Sequence, residues 1–143
     1  MQKQQFSITI TASRDRVWNV LWQDQTFRDW ASIIDEGSYM VGELKTGSQI
    51  QFISSSSGYG VTSLVEKYIP NELLILRHQA DTQDNGKNER DQEWTGGSEK
   101  YTATDHDGIT ILTVEIDTPP ELVEIFNDRM PKALARVKVL AEI

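Results

Sequence analysis

The chain has 143 residues and sets 14 Lys and Arg against 22 Asp and Glu, a formal net charge of −8 at pH 7. That length suits a single domain over residues 1–143, and four Trp, four Tyr and four Phe are too many aromatics for a disordered chain. With no cysteine, disulfides, thiolate nucleophiles and cysteine metal sites are excluded, and the acidic balance argues against nucleic acid and anionic membranes as partners.

The longest aliphatic run, Leu73-Leu74-Ile75-Leu76, is too short for membrane insertion. The start, Met1-Gln2-Lys3-Gln4-Gln5, lacks an apolar signal region, so a cytoplasmic location is expected. Phe6, Ile8 and Ile10 then alternate with Ser7, Thr9 and Thr11, which predicts a half-buried strand. Ser13 reads as a helix N-cap with Asp15 in the first turn, and Val17, Trp18, Leu21 and Trp22 fall at helical spacing. A second short helix over 24–31 carries Phe27 and Trp30. From 37 to 117 the texture changes to strands, predicted near 38–44, 48–54, 59–69, 73–80, 98–105 and 109–117. The Asp105-His106-Asp107-Gly108 break is a hairpin signal, and the short connections imply an antiparallel meander. Residues 81–97 are polar and aperiodic, so a long loop is expected there.

The final segment predicts a long helix. Thr118 and Glu121 read as a capping box with Pro119 at the first helical position. Leu122, Phe126, Met130, Ala133, Val137 and Leu140 form an apolar stripe, and Pro131 inside it predicts a kink. One long helix must cover the apolar face of six or seven strands, so the sheet should curl around it. This gives an α+β class: a curved antiparallel sheet, in the order β-α-α, six strands, α, wrapped around the C-terminal helix. A twisted sheet and a straight cylinder diverge at one end, which predicts a cavity between them; a core packed solid by large side chains is the competing expectation.

This arrangement resembles the helix-grip fold of the START/SRPBCC superfamily, which includes lipid-transfer, Bet v 1-like and polyketide-cyclase-like proteins. Within it the chain is most similar to the family of the activator of the heat-shock-protein-90 ATPase. The resemblance covers nearly the whole chain, through ITITASRDRVWNVLWQDQTFRDWAS, VEKYIPNELLILRH, WTGGSEKYTATDHDGITILTVEIDT and FNDRMPKALARVKVLAE. Met130 stands where the family commonly has Trp, and Ala31-Ser32 follows Trp30 where many members show Trp-Gly-Pro. The resemblance implies the fold and leaves several functions open: ligand carrier, co-chaperone or cyclase. It carries over no catalytic set.

Few residues suggest chemistry. Two histidines and no cysteine make a metal site an unfavoured expectation, and no cofactor is expected. His106 reads as a turn residue, and the serine run 54–57 lacks a nucleophile-elbow pattern. His78 shares strand parity with Leu74 and Leu76, placing it on the inner face either as a site group or as an ordinary half-buried histidine. Glu66 either joins His78 as an acid–base pair or pairs outside with Arg77, and register decides between these. Trp30, Tyr68, His78, Trp94, Tyr101, Phe126 and Met130 are the expected ligand-lining residues, with Trp94 on a loop suited to cover the cavity mouth. The leading expectation is a binder of a small lipophilic molecule. A chaperone-associated interaction module is the alternative, and a cyclase- or hydratase-type enzyme using Glu66 and His78 ranks last. Monomer and dimer both remain open.

Overall fold

Gln4, Phe6, Ile8 and Ile10 turn toward the interior of the first strand, while Lys3, Gln5, Ser7 and Thr9 stay in solvent. The computed structural model, which describes residues Met1–Ile143, contains β1 (Gln2–Ile10), α1 (Arg14–Trp22), α2 (Asp24–Ala31), β2 (Ser38–Val41), β3 (Gln49–Ser54), β4 (Gly60–Ile69), β5 (Leu73–Gln83), β6 (Asn88–Glu89), β7 (Ser98–His106), β8 (Ile109–Thr118) and α3 (Val123–Glu142). The strands form one antiparallel sheet in the order β1-β8-β7-β5-β4-β3-β2, with the two-residue β6 paired beside β5. The first strand pairs with the last over nine positions, from Gln2–Thr118 to Ile10–Thr110. β1 and β2 are therefore opposite edges, and α1 and α2 carry the chain from one to the other across the open side. This is the helix-grip architecture.

The core lies between the concave sheet face and the C-terminal half of α3. Leu74 and Leu76 of β5, Leu112 and Val114 of β8, and Val17 and Leu21 of α1 are fully buried there. They meet Ala133, Leu134, Val137 and Ala141 of α3, whose small alanines let the helix approach closely. Leu122 and Phe126, at the other end of the predicted stripe, are only half-buried. No helix is long and apolar enough to cross a membrane.

The expected capping box does not form. Thr118 belongs to β8, and its Oγ1 is buried without a partner. Pro120 pushes the residue before it out of helical geometry, so Pro119 is extended (φ −54°, ψ 140°) and a 3-10 turn over Pro120–Leu122 precedes α3. The start of α3 is instead tied to β1: Gln4 Nε2 donates to the Val123 carbonyl (3.1 Å) and to Asn127 Oδ1 (2.8 Å). Pro131, the expected kink site, sits at an exposed position inside the single helix.

The predicted loop after 80 also differs. β5 continues to Gln83 and turns back into β6, because Asp84, Asn85 and Gly86 all adopt positive φ, which Asp, Asn and Gly tolerate best. Replacing Leu134 by Ala removes packing where α3 grips the sheet. We expect a loss of about 2–5 kcal/mol in denaturant unfolding, against less than about 1 kcal/mol for Ile125→Ala, which is 38% exposed.

Candidate functional site

N-terminal to Met130, where α3 is tied to the sheet's edge strand through Gln4, a cavity of about 440 Å³ opens between the helix and the concave face. Its walls come from Phe27, Trp30 and Ile34 on and after α2, from Phe52 and Ile53 on β3, from Ile116 on β8, and from Leu122, Ile125, Phe126 and Met130 at the start of α3. Fifteen of its 25 lining residues are hydrophobic, so the body of the space is suited to apolar contents.

The inner wall carries one polar cluster, assembled by β4, β5 and β7. Ser63 pairs with His78 across β4 and β5, and Leu76 pairs with Glu99 across β5 and β7, which leaves His78 diagonal to Glu99. Ser63 Oγ lies 2.7 Å from His78 Nδ1, His78 Nε2 lies 3.1 Å from Glu99 Oε1, and the Tyr101 hydroxyl donates to Glu99 Oε2 at 3.0 Å. When Glu99 is ionised, His78 must carry a proton on Nε2, and the Ser63 hydroxyl donates to Nδ1 of a neutral ring. Burial, with the Glu99 charge and its hydrogen bond, holds the Tyr101 phenol well above its ordinary value, so it stays a donor. The order of groups imitates a hydrolase triad, but Ser63 is completely buried and does not line the cavity. Its hydroxyl positions the imidazole and is closed to substrate.

Trp30, His78, Trp94, Tyr101, Phe126 and Met130 all line this space. Tyr68 does not. β4 and β5 are antiparallel, so Tyr68 pairs with Leu74 at the far end of the hairpin from Ser63 and His78. There it packs on Trp18, whose Nε1 donates to the Tyr68 hydroxyl at 3.1 Å. Glu66 is also outside. It is the unpaired residue of a β-bulge between Val65 and Lys67, it is solvent-exposed, and it faces Arg77 at 3.5 Å. The proposed Glu66–His78 pair is thus not assembled, and Glu99 occupies the place beside His78.

Asp81 organises the mouth. A second irregularity leaves Gln79 unpaired, and the phase of burial on β5 changes from Leu74, Leu76 and His78 to Asp81, which is 1% exposed. Its carboxylate accepts from the amides of Glu93, Trp94 and Thr95 at 2.9–3.1 Å and from the Thr95 hydroxyl at 2.7 Å. This fastens Trp94 against Phe126 (ring centroids 5.3 Å apart) and His78 (6.0 Å). Arg90 Nη2 reaches Glu93 at 3.1 Å while its guanidinium lies 4.6 Å over the Tyr59 ring, completing the rim. Across the mouth, burial raises the Asp35 carboxyl above its ordinary range, and Arg129 partly opposes this. No group of three or more His, Asp or Glu residues is placed to hold a metal ion.

Solved structures share this architecture. The Aha1 dimer from Colwellia psychrerythraea is 20% identical with a TM-score of 0.72, the match covering 100% of this chain and 98% of that one. MLL2253 from Mesorhizobium loti is 16% identical with a TM-score of 0.70, over 97% and 96% of the two chains. DynU16, a protein in the dynemicin biosynthetic locus, is 14% identical with a TM-score of 0.69 over 97% of this chain, which spans about half (46%) of that longer one. No family model and no curated protein sequence matches the chain. At these identities the likeness concerns fold alone: the chain shares the helix-grip fold of these structures.

Burial by itself would raise the Asp81 carboxyl, but the hydrogen bonds from Glu93, Thr95 and Trp94 outweigh it and hold the group below its ordinary value. The resulting stabilisation is complete above the unfolded carboxylate value and fades as pH falls through the lower folded one. Amides 93–95 should therefore lose hydrogen-exchange protection, taken relative to their intrinsic rates, below about pH 4. Asp81→Asn should show the same loosening at pH 7, with a loss on the order of 3 kcal/mol in stability.

Proposed function

We propose that this chain binds a small apolar or amphipathic molecule between the concave sheet face and the N-terminal half of α3. The cavity itself carries the reading: about 440 Å³ with mainly hydrophobic walls and one polar cluster at its inner end. Such a space, built from apolar surface with a few convergent polar groups, is the usual form of a small-molecule site. Trp30, Phe126 and Met130 supply apolar contact, His78 and Tyr101 set the polar end, and Trp94 covers the mouth. The chaperone-associated alternative draws on the family resemblance of the sequence, whereas the cavity favours a small-molecule occupant.

Native mass spectrometry of freshly purified protein, followed by thermal shift with a lipophilic library, tests the reading. A true ligand at about 100 times its dissociation constant should raise the melting temperature by roughly 5–10 °C. Val61→Trp, which places an indole in the cavity wall, should abolish that rise while the protein still melts cooperatively. A bare mass with no stabilisation by any library member would remove the proposal's support.

A further inference from the structure

The polar end of the cavity has an unequal supply of donors and acceptors. His78 Nε2 is directed at Glu99 Oε1 and the Tyr101 hydroxyl at Glu99 Oε2, so the two donors of the cluster that line the cavity are committed to one carboxylate. The Trp30 indole N–H, on another wall, is committed to the Leu21 carbonyl at 3.1 Å. A carboxylate has about four lone-pair directions, and protein donors take two of those on Glu99. Glu99 lines the cavity with its side chain 16% exposed, against 1% for His78, so its remaining acceptor capacity is what the space meets. The rim cations are each partly engaged elsewhere, and neither pairs with Glu99. Arg90 bonds Glu93 and the Thr82 carbonyl, and Arg129 donates to the Ile34 carbonyl at 2.8 Å beside Asp35.

We propose that the occupant is an apolar body bearing a hydrogen-bond donor, a hydroxyl or amino group, which is delivered to the Glu99 carboxylate, and that molecules ending in a carboxylate are rejected. This rests on the binding reading above and names the chemistry of the same site. A donor completes the hydrogen bonding of Glu99 at the largely buried inner end of the cavity. A carboxylate brought there faces a like charge and finds the donors of His78 and Tyr101 already used on Glu99.

Dissociation constants for 2-naphthol, 2-naphthylamine, naphthalene and 2-naphthoate at pH 7 test this directly, because one apolar body carries each group. Expected is binding of 2-naphthol or 2-naphthylamine about tenfold tighter than naphthalene, with 2-naphthoate weakest. Glu99→Gln, whose amide can donate, should narrow the advantage of 2-naphthol and bring 2-naphthoate level with naphthalene. If that variant does not fold, Tyr101→Phe serves instead: it frees an acceptor direction on Glu99, and 2-naphthol should keep its lead. Equal binding of 2-naphthol, 2-naphthylamine and naphthalene, or preferential binding of 2-naphthoate, would overturn the donor proposal while leaving the cavity reading intact. Failure of all four to bind would overturn the cavity reading as well.

Discussion

A straight helix and a twisted sheet can stay in contact over only part of their length, and this mismatch governs the molecule. From Met130 onward α3 is in contact: Ala133, Leu134, Val137 and Ala141 are buried against Leu112, Val114 and the first helix. Toward its N-terminus the same helix parts from the concave face, and Phe126, Ile125 and Leu122 line the cavity. One helix thus supplies cohesion at one end and a cavity wall at the other. The tie from Gln4 to Val123 and Asn127 holds the diverging end in place, where packing alone would not.

The polar cluster follows from strand order. Ser63, His78 and Glu99 are far apart in sequence and lie on three adjacent strands, β4, β5 and β7. Away from bulk water each of these groups is costly without a partner, and each has one. The cluster fixes the ring of His78 from both nitrogens, which sets where a proton can reside and points the remaining capacity of Glu99 inward. The sealed position of Ser63 separates this arrangement from nucleophilic catalysis despite the familiar sequence of side chains.

Much of this was legible in the residues. Alternation located the strands, and parity with Leu74 and Leu76 placed His78 on the inner face. Glu99 shares parity with Tyr101 and Ala103, so a signal for it existed, but a glutamate between Ser98 and Lys100 reads as solvated surface until the β5–β7 register is known. Glu66 was left open between His78 and Arg77 and faces Arg77, while Tyr68 lies outside the cavity it was expected to line. A one-residue bulge at Glu66 breaks the alternation on which any inward or outward assignment relies, and antiparallel pairing puts Tyr68 at the wrong end. Asp81 was hidden by the corresponding irregularity at Gln79. The Thr118–Glu121 cap was a sound local pattern that lost to the steric demand of Pro119-Pro120. In each case the missing information was a nonlocal register or a competing backbone restriction.

The fastening of residues 93–95 to Asp81 bears on kinetics. The latch is covalently part of the wall, and every one of its partners belongs to the chain. The segment at the mouth is therefore held in place by the protein's own bonds whether or not anything lies beneath it. Any displacement of residues 93–95 must break those bonds together, so that side of the rim moves as one unit or stays where it is.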